Sequence, residues 1–399
     1  MGQQSRSVKV TKKGYLPDQQ NVPVNLQLRI RKREEKYEAT ILAEEGAQPR
    51  RVSINMSSND LAGLNKLLHK KMQEVALEHI DGGLTPADLK DQVRRLAEVG
   101  HLAFRKVFGS DELRNAIRLL LNSNHRNSIQ VTSEDFFLPW ELLYPISPGE
   151  SLDYKHFWGM NHIISRFIVV EDPSPNFNFR LSPSIRIASR PKLGLFTDYN
   201  LPSVLSEEMP YFKKLHEDDK IHLFEFRDLD PTKKLEGIQL FKAFWQNDFD
   251  LVHFACHALY EDEAAYLSHI SLSKDFHISL VDFETYEIAI NGYPLIIVNA
   301  CETGHPNPLY TASFATTFLK NGARGVLATE CSIPDAFAAE FSKQLYPLLL
   351  SGKTLGESVL ETRRCFLSMS DNPTGLLYSI YGSPLIRLHN QRQGEKNGR

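Results

Sequence analysis

The sequence predicts an α/β fold: an open, mostly parallel sheet with helices on both faces, preceded by a smaller lobe and an N-terminal β-hairpin segment. Three observations carry this. Beyond residue 180, runs of β-branched and aromatic residues alternate with segments of helical period, the pattern of repeated strand–helix units. Two of these runs, Asp250-Leu-Val-His-Phe-Ala-Cys-His257 and Tyr293-Pro-Leu-Ile-Ile-Val-Asn-Ala-Cys301-Glu-Thr-Gly304, are bounded by turn formers and read as buried strands. Ahead of residue 180 the period changes from strand-like to helical.

The elements follow in order. Val24-Asn-Leu-Gln-Leu-Arg-Ile-Arg31 and Lys36-Tyr-Glu-Ala-Thr-Ile-Leu42 alternate apolar and polar residues around the charged turn Lys32-Arg-Glu-Glu35, which predicts a hairpin. Leu61, Leu64, Leu67, Leu68, Met72 and Val75 then form one helical stripe, and Thr85-Pro86 is a cap followed by a first-turn proline. Helices are expected to about residue 121. A strand at 128–132 and an apolar segment at 136–144, interrupted by Pro139 and placing Trp140 in the core, come next. Pro173, Pro175 and Pro183, with Asn176 and Asn178 among them, read as a connector and set a boundary near 180. Strands are expected at 185–196, 221–226, 250–257, 293–301 and 325–329, and helices at 205–215, 237–246, 310–320 and 336–349. A last helix opens at Thr354, with Glu357 three residues on as a capping box. The expected organisation is a β and basic segment over 1–60, a helical lobe over 61–180, the main lobe over 181–390 and a disordered tail over 391–399.

Composition narrows the function. The 399 residues are 42% hydrophobic and 24% charged with a net charge of −3, as in an ordinary globular protein, so no direct nucleic-acid binding is expected. Residues 1–71 hold fourteen Lys and Arg against seven Asp and Glu, an excess of +7 that leaves −10 over the rest. Solvated strand faces and a polar arm account for it, with a surface for an acidic partner as the alternative. Cys256, Cys301, Cys331 and Cys365 show no framework spacing, and no apolar leader opens the chain, which predicts a reducing, cytoplasmic setting. No stretch is long and apolar enough to predict a membrane span. No phosphate-binding loop and no 34-residue repeat is visible.

The sharpest signal is chemical. His257 and Cys301 each close an apolar run, and the ends of parallel strands are where α/β folds hold their chemistry. A thiol becomes a strong nucleophile when a neighbouring base or positive environment makes it a thiolate, so this pair suggests covalent catalysis. By the two-residue strand period Cys256 faces away from His257 and is expected in the core, whereas His253 shares the face of His257 and is expected as a packed, hydrogen-bonded histidine. Glu302 and Thr303 are expected to shape the turn after the thiol. A zinc site on His253, His257 and Cys301 lacks a fourth ligand and a short-spaced ligand pair. No metal or cofactor is expected.

Four stretches in order carry a resemblance: Leu-Pro-Trp-Glu-Leu-Leu at 138–143, His-Phe-Ala-Cys-His at 253–257, Asn-Ala-Cys-Glu-Thr-Gly at 299–304, and Tyr381-Gly-Ser-Pro-Leu-Ile386. Over roughly residues 60–390 the chain resembles the CHAT family, caspase-like cysteine peptidases of clan CD related to caspases and separases. The resemblance implies a regulated cysteine endopeptidase acting on a protein substrate, with His257 as general base and acid and Cys301 as nucleophile. It also implies that the first half is a degenerate caspase-like lobe supporting the active one and that the setting is bacterial defence or programmed cell death. The backbone N–H groups of Cys301 and Ala258 are the expected oxyanion donors. Two positions depart from the family pattern. Ala258 stands where glycine is usual, and a positive φ there would cost alanine about 1 kcal/mol or more. An activating protein or ligand that rearranges this loop is expected from that departure. Cys331 stands where tryptophan is frequent. The loop Glu330-Cys-Ser-Ile-Pro-Asp335 is expected to border the pocket for the P1 side chain. Glu330 or Asp335 facing that pocket predicts Arg or Lys at P1, both facing outward predicts an apolar P1, and Asp335 is alternatively a helix cap. A catalytically silent interaction module and a metal-dependent hydrolase are the competing readings.

Overall fold

The computed structural model describes residues 24–43, 49–79, 83–121, 128–169, 182–187, 189–198, 200–226, 234–259, 264–273, 276–302, 308–331 and 333–390. Thr303, Ser332, most of the predicted connector and the tail 391–399 lie outside them.

Alternating apolar residues make β1 (Val24–Arg33) and β2 (Lys36–Ala43) a hairpin, closed by a tight turn in which Glu34 adopts φ 54°. Strand β3 (Arg50–Ile54) adds to its edge. Helices α1 (Ser58–Glu78) and α2 (Pro86–Val107) open on the capping boxes Ser57/Asp60 and Thr85/Asp88, and α3 (Asp111–Leu121) follows. Next come β4 (Ser128–Ser133), the short α4 (Trp158–Asn161) and β5 (Ile163–Ile168). The second half runs β6 (Ser184–Ile187), β7 (Lys192–Thr197), α5 (Met209–Glu217), β8 (His222–Phe226), α6 (Lys234–Phe244), β9 (Leu251–Leu259), β10 (His269–Ser271), β11 (His277–Ser279), α7 (Leu280–Thr285) and β12 (Leu295–Glu302). It ends with α8 (Pro308–Lys320), β13 (Gly325–Thr329), α9 (Asp335–Leu350), α10 (Leu355–Ser370), β14 (Tyr378–Gly382) and β15 (Arg387–Asn390). The capping box at Thr354 and Glu357 is formed.

Among the described residues thirteen strands join in one mixed sheet, in the order β11-β10-β9-β12-β13-β14-β5-β4-β1-β2-β3, with β7 and β8 attached to the first part of β9. The centre of the second half, β8-β7-β9-β12-β13, is parallel throughout. Two cores follow from the alternation of side chains across the sheet. On one face Leu195, Leu251, Leu295 and Ile297 pack with residues of α1, α2, α9 and α10. On the other, Phe196, Val252, Phe254, Cys256 and Ile296 pack with α6, α7 and α8. Trp140 lies in the first core, fully buried.

One predicted strand is corrected. The run at 185–196 divides into β6 and β7, because Pro191 has no N–H to give a ladder. Its carbonyl instead accepts from the backbone of His222 at 2.8 Å, and β6 leaves the main sheet to pair with β15 in a separate parallel ribbon. Strands β3, β5, β10, β11, β14 and β15 were not predicted as strands, being short or interrupted by polar residues.

Candidate active site

Strands β9 and β12 are parallel neighbours, and their register places Leu251 opposite Leu295, His253 opposite Ile297, Ala255 opposite Asn299, and His257 opposite Cys301. Residues forty-four apart in sequence are thereby direct cross-strand partners. Neighbouring strands lie about 4.8 Å apart and register partners fall on the same side of a sheet, so the positions of His257 and Cys301 share one face at the C-terminal end of both strands. His257 is half-buried. Cys256, on the opposite face, is a fully buried member of the second core.

The layers beneath this pair are polar and satisfied. His253 is fully buried, with Nε2 2.9 Å from Glu208 Oε1 and Nδ1 3.1 Å from the Tyr346 hydroxyl. Burial, reinforced by the Glu208 carboxylate, holds the Tyr346 hydroxyl well above its ordinary pKa, so it stays protonated beside Nδ1, while Nε2–H donates to the Glu208 carboxylate, which can only accept. Asn299 Nδ2 donates to the same carboxylate oxygen at 2.8 Å and to the Ala338 carbonyl at 2.9 Å, and its Oδ1 accepts from the Tyr378 hydroxyl. Ser342 Oγ of α9 donates to Glu208 Oε1 at 2.7 Å. Glu208 itself ends a π-helical turn, Val204–Glu208, ahead of α5.

Ala258 lies inside β9, opposite Glu302 of β12 on one side and Ile270 of β10 on the other. Its φ is not positive, so alanine carries no left-handed backbone penalty there.

The two pocket candidates occupy different settings. Glu330, just past β13, is buried and turned into the protein. Its carboxylate accepts from Arg166 Nη1 and from the Tyr381 hydroxyl at 2.9 Å, with His69 Nε2 3.6 Å away. Burial alone would raise the Glu330 carboxyl; the Arg166 guanidinium outweighs it, aided by His69 and Ser379, and holds the pKa at about 2. This carboxylate is already spent on an internal cation. Asp335 is only part-buried and opens α9, accepting from the backbone N–H of Ser203 at 3.2 Å and of Ala336 at 2.8 Å. It ties the start of the Glu208 turn to α9.

The Glu330 cluster contains residues the sequence reading passed over. Arg166 also donates to Glu141, the acid of the Leu-Pro-Trp-Glu-Leu-Leu stretch, and Glu141 lies 3.5 Å from Arg363 Nη2. Burial pushes the Glu141 carboxyl up, against the pull of both guanidiniums. Arg363 donates to the carbonyls of Gly375 and Gly159, each at 3.0 Å, and of Tyr378. Two signals could have found these residues: Arg166 interrupts the apolar run Ile163–Ile168, and Arg363 continues the buried helical stripe of Leu355 and Val359. Nothing in the sequence around Glu208 marks it.

The CHAT domain family model matches residues 168–386, more than half of the chain, and spans both site strands. The chain belongs to the CHAT domain family. No curated protein matches it. This CHAT protein is similar to a chain of the Saccharomyces cerevisiae separase–securin complex at 12% identity and a TM-score of 0.52, over 90% of this chain and 30% of that one. It is also similar to the Drosophila initiator caspase Dronc at 7% identity and a TM-score of 0.31, over 51% of this chain and 85% of that one. The separase likeness is one of fold, a mixed α/β architecture around a central sheet, and the chain spans under a third of that larger protein. Residues 24–167 precede the CHAT match, yet His69 and Arg166 from this part reach Glu330 within it, and Glu141 joins them through Arg166.

Proposed function

We propose that this chain is a cysteine endopeptidase in which Cys301 is the nucleophile and His257 the general base and acid. The observation that carries the reading is the cross-strand register of His257 and Cys301 at the C-terminal ends of adjacent parallel strands. In the proposed reaction His257 takes the thiol proton as the Cys301 sulfur attacks the scissile carbonyl carbon, and the carbonyl oxygen takes up the negative charge facing the backbone N–H groups of Cys301 and Ala258. His257 delivers a proton to the leaving nitrogen as the C–N bond breaks, leaving a thioester. A water, deprotonated by His257, then attacks the thioester and frees the acid and the thiol. No metal or cofactor enters.

The substrate is a protein partner. Of the two candidate acids for the P1 pocket, Asp335 is favoured, because Glu330 is neutralised by Arg166. The yeast structure pairs separase with securin, and by analogy this chain is held or released by a partner protein or ligand. A cytoplasmic setting suits a chain whose chemistry needs a thiol, and among the described residues no helix is long and apolar enough to cross a membrane. Antiviral defence or programmed cell death is the proposed context.

The test compares wild type with Cys301→Ala on peptides derived from a whole proteome, reading new N-termini by mass spectrometry. Cleavage by wild type alone is expected, with Arg or Lys at P1 if Asp335 selects. Identical N-termini from both proteins, in the presence of the native partner, would sink the peptidase reading.

A further inference from the structure

A single carboxylate binds three elements one layer beneath the candidate dyad. Glu208 Oε1 receives His253 Nε2–H of β9 at 2.9 Å, Asn299 Nδ2–H of β12 at 2.8 Å and the Ser342 hydroxyl of α9 at 2.7 Å, and all four residues are buried. Along their strands His253 lies four residues before His257 and Asn299 two residues before Cys301, on the same face as the pair. The carboxylate is delivered by a π-helical turn, an uncommon device that re-aims a side chain by one residue and recurs at functional sites. The turn is locked to α9 at three further points: Ser203 N–H to Asp335, Glu207 to Lys343 at 2.8 Å, and, through Asn299, the Ala338 carbonyl. A dry core would hold these strands together equally well without a buried charge, since apolar replacement of buried ionic groups is often neutral or stabilising. What the charge adds is direction.

We propose that Glu208 is a positioning residue that clasps His253 of β9 and Asn299 of β12 and so fixes how the His257 and Cys301 ends of the two strands face each other. The inference rests on the Cys301–His257 reading. Positioning of this kind is steep, because a misplacement of about 1 Å between reacting groups costs on the order of 100-fold in rate. Glu208 acts through the two strands, and its bond to Ser342 couples α9 to them.

The experiment reads Cys301 directly and needs no substrate. The rate of iodoacetamide alkylation at Cys301, resolved from the other three cysteines by peptide mapping, is followed from pH 5 to pH 9. It is measured in wild type, His257→Ala, Glu208→Gln, Ser342→Ala and Val359→Ala, the last a buried apolar α10 residue that makes no bond of the clasp and serves as a stability control. Wild type is expected to react faster than His257→Ala near neutral pH. Glu208→Gln is expected to slow alkylation at pH 7 at least tenfold and to move its pH midpoint upward, Ser342→Ala by a smaller factor, and Val359→Ala not at all. A Glu208→Gln profile that superimposes on wild type, or an equal slowing in Val359→Ala, overturns the positioning role while leaving the dyad intact. Equal rates in wild type and His257→Ala overturn the dyad and the inference with it. Should Glu208→Gln fail to fold, an unchanged profile in Ser342→Ala overturns the proposal, and a slowed one supports it.

Discussion

The charges that matter most in this molecule are the ones water does not reach. Glu330 and Arg166 sit in a cluster with Glu141 and Arg363 where each carboxylate is matched by a guanidinium, and removing one partner strands the other. Glu330→Gln is therefore expected to cost about 3 kcal/mol at pH 7, the range for a broken buried pair. The pH dependence has a definite sign. The folded-state pKa of Glu330, about 2, lies below the ordinary value of 4.5, so its stabilisation is complete above that value and is lost as pH falls from about 4.5 toward 2. Urea unfolding between pH 7 and pH 2.5 should show the gap between wild type and Glu330→Gln closing in that window. A constant gap across it contradicts the assignment. This cluster also explains why Glu330 misleads when read along the chain alone: an acid just past a strand reads as a pocket wall until the arginine 164 positions away is seen to point at it.

At the level of elements, close approach sets what the sequence tolerates. Helix α2 crosses the 140–142 turn of the Leu-Pro-Trp-Glu-Leu-Leu stretch at Gly100, where a Cβ would stand 2.2 Å from the Leu142 carbonyl oxygen and 3.2 Å from Tyr144 Cβ. Backbone rather than a flexible side chain is in the way, and the Gly100 carbonyl already accepts from Tyr144 N–H at 3.3 Å. Gly100→Ala is expected to destabilise by about 3 kcal/mol, the upper part of the overpacking range, read as a lowered thermal midpoint. An unchanged midpoint would show that α2 slides without cost. Most helices and strands of the second half were legible locally, because caps such as Thr354/Glu357 and runs such as Leu295–Val298 declare themselves within a few residues. The division of 185–196 turned on one proline, and the π-helical turn at 204–208 on packing against α9, which no local pattern encodes.

Among the described residues the main sheet separates two large cores, and tryptophan is present in each. Trp140 and Trp158 lie in the core that includes residues from Leu26 to Leu388, and Trp245 lies in the other. Since both cores share the same strands, neither face can open without exposing the other. Urea unfolding followed by fluorescence in Trp245→Phe, which reports the first core, and in a Trp140→Phe/Trp158→Phe variant, which reports the second, should give transitions that each coincide with the loss of far-ultraviolet circular dichroism in the same protein. Separated transitions within one variant would mean that the halves unfold independently.

The hairpin, most helices and the apolar strands of the second half, and the capped helix starts were determined by the sequence itself, because each depends on residues within one or two turns of chain. The tertiary structure alone decided that β9 lies beside β12 so that position 257 faces position 301, that Glu330 turns inward to Arg166, and that Glu208 gathers His253, Asn299 and Ser342. These are neighbourhoods between residues 44 to 164 positions apart. Local propensity carries no information about them. They are selected by burial and charge neutralisation, which act only once the chain has closed on itself.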